Sequence, residues 1–191
     1  MKIQLHINKL KPSQGKVLIS EPFLDDDYFR RTVVLLVEHN ENGSFGLILN
    51  KPMEVKLNEA ITGFPEFNSS LHFGGPVNKD QLFYLHTHGE LIEDSVGIKK
   101  GLYWGGDFDR AKALIKQKKV KENSIRFFAG YSGWEPGQLE DEMKAKSWIV
   151  CNASVKDIMS VNTSSLWRDV LKKMGKEYAI LSNFPEDPSL N

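Results

Sequence analysis

The side chains of this chain that could do chemistry fall into a few small groups. The tightest is His86-Thr87-His88, followed by Glu90 and Glu93. On a strand an i, i+2 spacing puts both rings on one face. Two imidazoles and a carboxylate then make a donor set for Zn, Fe or Mn, as in a metal-dependent enzyme. An edge strand with solvated histidines near a turn would carry the same residues. A second group is Glu38-His39, which could join His72 as an acid–base pair. Neighbouring strand residues point to opposite faces, so Glu38 and His39 cannot readily touch.

Gly130-Tyr131-Ser132-Gly133 invites comparison with the Gly-x-Ser-x-Gly nucleophile elbow, but Trp134 occupies the second glycine's place. A tight turn before an aromatic anchor accounts for it better. Cys151 lies inside Ser147-Trp148-Ile149-Val150-Cys151, an apolar setting that gives an inert thiol. Both nucleotide fingerprints are missing: Gly-x-Gly-x-x-Gly and the phosphate loop ending in Gly-Lys-Ser/Thr. No cofactor is implied. Lys112, Lys116, Lys118, Lys119 and Lys121, with Arg126 beyond, form the one basic bias. They could touch nucleic acid, or simply complement the negative end of a helix. The absence of interleaved aromatics disfavours a single-strand binder.

The elements that must position these groups are those of an ordinary soluble domain. The 191 residues include 25 basic and 25 acidic side chains, 40% apolar residues and 26% charged ones. That length suits one domain with a sizeable core. A balanced charge argues against a dedicated nucleic-acid binder. One cysteine excludes an intramolecular disulfide framework. Met1 to Lys11 lacks the apolar run of a secretion signal, and Val33 to Val37 is far shorter than the roughly 20 residues of a spanning helix. A cytoplasmic location without membrane contact is the expectation.

The first half is rich in strands: Lys16 to Ser20, Thr32 to Val37, Phe45 to Leu49, Leu71 to Phe73 and Leu82 to Thr87. Asn42-Gly43 suits a type I′ hairpin turn, which would set His39 opposite Gly46 and Glu38 opposite Leu47. Leu57 to Ile61 has helical spacing, ended by Gly63. Asp107 can cap a helix with core positions Phe108, Ala111, Leu114 and Ile115. Ser124 to Ala129 and Ser147 to Cys151 are further strands. A short helix after Pro136 carries Leu139 and Met143, and a last one carries Leu166, Trp167, Val170, Leu171 and Met174, ended by Gly175. Residues 1–12 and 185–191 read as loosely ordered ends. Strands of hairpin and crossover type predict a single α+β domain over residues 1–191, with a mixed sheet.

Taken in order, several segments resemble one bacterial family, AlgH/YqgE. They are Gly15-Lys16-Val17-Leu18-Ile19, Pro22, Asp26, Phe29 to Val34, Glu38-His39 and Gly46 to Pro52. Phe73 to Val77, Leu85-His86, Gly130 to Trp134 and Gly137 to Glu142 continue the series. The resemblance runs from about residue 15 to about residue 170. It implies one α+β domain with a large, partly curled mixed sheet. Some members carry the name of a transcriptional regulator, yet the resemblance implies no reaction, cofactor or ligand. The chain departs from the family at Tyr103-Trp104-Gly105-Gly106-Asp107, and no helix-turn-helix is visible.

Arg30, Glu38, His39, Asn50, Trp134, Gln138 and Glu140 are polar or amphipathic residues set in apolar or glycine-rich motifs. Such residues are costly in a core unless paired, so they form either a buried network or a surface that meets a partner. The leading expectation is a non-catalytic binding or regulatory domain with a protein partner, using the Glu38-His39 hairpin and the Gly130 to Gln138 segment. A metal-dependent enzyme using His86, His88, Glu90 and Glu93 is the alternative. Nucleic-acid contact through Lys112 to Lys121 is the weaker one.

Overall fold

The run Val33-Val34-Leu35-Leu36-Val37 is buried along its whole length, because both faces of its strand are covered. Val33, Leu35 and Val37 point into one core cluster, while Val34 and Leu36 point into another. The structure is a computed structural model and describes residues 10–184. The expected loose ends at 1–12 and 185–191 therefore lie almost wholly outside the described residues.

The strands are β1 (Val17–Ser20), β2 (Val33–Asn40), β3 (Gly43–Ile48), β4 (Pro52–Lys56) and β5 (Ser70–Phe73), then β6 (Val77–His86), β7 (Val96–Lys99), β8 (Leu102–Trp104), β9 (Ile125–Trp134) and β10 (Trp148–Cys151). The helices are α1 (Leu57–Ala60), α2 (Phe108–Lys116), α3 (Gln138–Lys144), α4 (Val155–Ile158), α5 (Leu166–Lys173) and α6 (Lys176–Leu181). The sheet runs β10-β1-β2-β3-β9-β6-β8-β7, and β5 attaches β4 to β9. Its pairs are antiparallel except β5 with β9, which is parallel. The chain is an α+β domain with a mixed sheet that does not close into a barrel, as the alternation of elements predicts.

Three cores hold the layers together. Residues of α4, α5 and α6 cover one face through Ile158, Trp167, Val170, Leu171 and Leu181. On the opposite face Leu139 of α3 packs with Trp134 and Trp148. Ala111, Leu114 and Ile115 of α2 close a third cluster over Phe127. The Asp107 carboxylate accepts the Arg110 amide at 2.9 Å, which is the expected cap of α2.

Two sequence expectations change. The hairpin turns at Glu41-Asn42, one residue early, so His39 pairs with Ser44 and Glu38 with Phe45, with an irregularity between Leu36 and Glu38. Gly43 belongs to the strand because a Cβ there would sit 2.4 Å from the Trp134 carbonyl. Gly46 is closed in by its neighbours: an added Cβ would sit 2.8 Å from Val34 Cγ1, 2.9 Å from the Leu35 carbonyl and 3.3 Å from the Trp134 ring. Gly130-Tyr131-Ser132-Gly133 is not a turn but the last part of β9. There the backbone of Gly74-Gly75 crosses the strand so closely that a Cβ at Gly75 would meet Tyr131 at 2.2 Å, and Ser132 Oγ donates to the Gly74 carbonyl. Those glycines serve a backbone crossing.

Candidate functional site

Trp134 ends β9 and Trp148 begins β10, and both indoles are buried with one polar edge that needs an acceptor. Glu142, one helical turn beyond Gln138, supplies it. Its Oε2 accepts Trp134 Nε1 at 2.9 Å and Trp148 Nε1 at 2.7 Å, and its Oε1 accepts Gln138 Nε2 at 2.9 Å. Gln138 in turn accepts the Glu135 amide through Oε1 at 3.0 Å, fixing the entry to α3. Phe29 packs edge-on to Trp148 at 5.5 Å between ring centres and lies 6.2 Å from Trp134. One carboxylate thus collects three donors from three segments.

His39 ties the hairpin to the same helix. Its Nδ1 is hydrogen-bonded to the Ser44 hydroxyl at 2.8 Å and its Nε2 faces Glu140 Oε1 at 3.6 Å. Hydroxyl, imidazole and carboxylate in that order resemble a proton relay. An acyl-transfer centre also needs free N–H donors at the oxyanion position. Ser44 instead sits in a strand paired on both sides, with His39 and with Trp134. The arrangement is a tether between sheet and helix.

Of the seven polar motif residues, the structure brings together His39, Trp134, Gln138 and Glu140. Glu38 pairs with Phe45, whose side chain belongs to the opposite core. Asn50 is a backbone staple, accepting the Val33 amide and donating to the Arg31 carbonyl, each at 2.8 Å. Among the described residues the Arg30 side chain pairs only with exposed Asp25, at 3.3 Å. Sequence reasoning missed the hub of the site, Glu142, and the hydroxyl of Ser44. The i, i+4 spacing of Gln138 and Glu142 within one helix is the signal that could have found the former.

The four residues of the metal alternative are not gathered. β6 ends at His86, so the strand spacing that would align His86 with His88 does not apply. His86 is fully buried between Tyr84 and Tyr103, stacked on each at under 6 Å between centres, 5.7 and 5.8 Å. Its Nδ1 accepts the His88 amide at 3.1 Å and its Nε2 donates to the Gly105 carbonyl at 3.0 Å. His88 meets Ser124 Oγ at 2.7 Å, and Glu90 and Glu93 are exposed. Among the described residues no three His, Cys, Asp or Glu side chains are grouped to hold a metal ion. Burial holds the pKa of both imidazoles below the ordinary value.

The other candidates are also placed. His72 is buried on β5, away from Glu38 and His39, and burial reinforced by the Arg126 charge lowers its pKa to about 4. Cys151 is buried, and that burial, with Asp157 nearby, pushes its thiol up to about 11. Arg126 leaves the basic group altogether: it is 1% exposed and donates to the carbonyls of Leu49 and Ile158 at 2.5 Å each. Lys112 pairs with Asp109 at 2.7 Å, whereas Lys116, Lys118, Lys119 and Lys121 are exposed around the end of α2. Among the described residues no helix is long and apolar enough to cross a membrane.

Comparison with known proteins agrees with this architecture. The AlgH-like family profile matches residues 17–179. A UPF0301 protein of Cytophaga hutchinsonii is 46% identical over 180 residues, covering 94% of this chain and 99% of its own. The UPF0301 protein BF2109 of Bacteroides fragilis is 47% identical over 189 residues, with 98% and 96% covered. The solution structure of the AlgH protein from Pseudomonas aeruginosa aligns with a TM-score of 0.73 and 27% identity, over 93% of this chain and 97% of that one. Protein DIP2367 from Corynebacterium diphtheriae, at 24% identity, shares the fold with a TM-score of 0.78 over 92% and 94% of the chains. With its ordered motifs, its mixed ten-stranded sheet and these relatives, the chain belongs to the AlgH-like family.

Proposed function

We propose that this chain is a non-catalytic binding domain that acts in regulation by docking a protein partner on the face formed by the β2–β3 hairpin and α3. The observation that carries this reading is the convergence of Trp134, Trp148 and Gln138 on Glu142. It fixes the shape of a surface whose outer residues remain open to water. Glu41, Glu135, Glu140 and Asp141 are exposed there, and Lys144, paired with Asp141 at 2.7 Å, offsets only part of that charge. A preorganised acidic face suits a partner with a basic segment. Regulation through such a contact needs no DNA-reading helix. The buried free Cys151 suits a reducing, cytoplasmic setting.

The test is native-level co-purification from nuclease-treated lysate. Glu135→Lys/Glu140→Lys is compared with the unaltered chain, and thermal unfolding is recorded for both. A partner captured by the unaltered chain and lost by the variant, with equal unfolding temperatures, is the expected result. Retention of the same partners by the charge-reversed variant sinks the placement. Trp134 is the wrong position to test, because its burial would make any loss of binding a loss of folding.

A further inference from the structure

A cleft of about 660 Å³ opens where the end of α2, the short 3-10 turn Glu122–Ser124, loop residues 66–68 and Val161 meet. Its volume lies within the range of roughly 300 to 1,000 Å³ typical of small-ligand sites. Two features of its lining bear on what it could hold. Apolar area is left wet in it, since Val161 is 65% exposed and Phe67 is half-buried at its wall. Its polar side chains are also unspent. By contrast, Lys112 pairs with Asp109, Lys144 with Asp141 and Lys173 with Asp157. Among the described residues Lys118, Asn68, Asn123, Glu66 and Glu122, all lining the cleft, have no side-chain hydrogen bond or ion pair.

We propose that this cleft is a binding site for a free mononucleotide, separate from the acidic docking face. Lys118 and Lys121 supply two ammonium groups for a phosphate. Phe67 and Val161 offer the apolar surface on which a base lies, as aromatic side chains do for unstacked bases. The carboxamides of Asn68 and Asn123 present both donors and acceptors, and Glu66 and Glu122 accept N–H groups, so a base edge finds partners of either sign. A longer strand fits less well. The two lysines are balanced by two glutamates, so the cleft offers no cationic track for a succession of phosphates.

The experiment is a titration of the 15N-labelled full chain with AMP, GMP, CMP and UMP at millimolar concentrations. Inorganic phosphate and a short single-stranded RNA are titrated in parallel. The expected result is saturable amide shifts confined to residues 66–68, 118–123 and 161 for at least one mononucleotide. Affinity then falls about tenfold in Lys118→Ala/Lys121→Ala, and severalfold in Phe67→Leu, with unfolding temperatures unchanged for the lysine variant. Three results overturn the proposal: no localised shifts with any mononucleotide, equal shifts with phosphate alone, or binding of the RNA without binding of the mononucleotides.

Discussion

The two ends of β9 each bury a polar side chain, and they solve that problem in opposite ways. Near the start, Arg126 is sealed at 1% exposure, and among the described residues no carboxylate forms an ion pair with it. Two main-chain carbonyls and the Phe128 ring, 5.2 Å from the guanidinium carbon, are its partners, and its Nε has none. At the other end, Trp134 gives its one donor to a carboxylate that also serves Trp148 and Gln138, and this network opens to solvent. The first solution locks α4 and the end of β3 to the sheet. The second holds a surface in shape. A buried charge without a counter-charge is tolerated where it joins elements, whereas paired groups at the rim keep exposed surface in one shape.

Truncating the buried end gives the largest expected effect. Arg126→Ala removes the partners of the Leu49 and Ile158 carbonyls and leaves a cavity, so a loss of about 3–5 kcal/mol in urea unfolding is expected. Arg126→Met, which is equally uncharged but fills much of the cavity that alanine leaves, should cost clearly less. Equal losses for the two variants would mean that the carbonyl bonds alone hold that end together.

Acid reaches the same end through His72. Its pKa is about 4 in the folded chain against an ordinary 6.5, so between those values the unfolded chain binds more protons. Stability therefore rises with pH across that window and is lost as pH falls from about 6.5 towards 4, by about 3 kcal/mol in all. His86 and His88, lowered in the same direction by burial, add to the trend. Unfolding measured at pH 7 and pH 5 should show the drop, and His72→Leu should flatten it. A profile as steep in that variant as in the unaltered chain would assign the drop to the other histidines.

At the open end, Glu142→Ala orphans two buried indole N–H groups, and we expect a loss of about 2–3 kcal/mol. Glu142→Gln keeps one acceptor oxygen and should lose less. Thermal unfolding reads both, at about 2–4 °C per kcal/mol for a chain of this size. If Glu142→Gln behaves like the unaltered chain, the network is ordinary hydrogen bonding without a contribution from its charge.

Much of this contrast was legible in the sequence, and the part that was not has a physical cause. Val33 to Val37 announced a strand buried on both sides, and Asp107 announced the start of α2. β7 and β8 escaped notice because strands of four and three residues joined at Lys100-Gly101 are too short for a period to register. α4 and α6 are similarly brief, at four and six residues. Gly130 to Gly133 reads locally as a turn, since nothing near it in sequence reveals that the Gly74-Gly75 backbone crosses it. Arg126 followed a lysine run and was grouped with it, although strand alternation alone turns it inward beside Phe128. Trp134, His39, Gln138 and Glu140 stood out as polar residues in apolar motifs, but so did Arg30, Glu38 and Asn50, and nothing in the sequence separated the four from the three. Glu142, the acceptor shared by Trp134, Trp148 and Gln138, did not stand out, because a glutamate on a helix is ordinary.

The smallest expected effects are the most informative about the open end. Arg30 and Asp25 form a pair with side chains 50% and 98% exposed, so water screens it and Arg30→Ala should leave unfolding unchanged within measurement. Glu140 is half-exposed and contacts only one edge of the His39 ring, at 3.6 Å, so Glu140→Lys should move stability by less than about 0.5 kcal/mol. The two variants part company in binding if the docking face is placed correctly. Glu140→Lys reverses a charge beside the Glu142 network and should abolish capture of a basic partner. Arg30→Ala, lying outside the set that converges on Glu142, should leave capture intact. Loss of capture in Arg30→Ala alone would move the interface to the loop before β2, and the open end of β9 would then be scaffold like the sealed one.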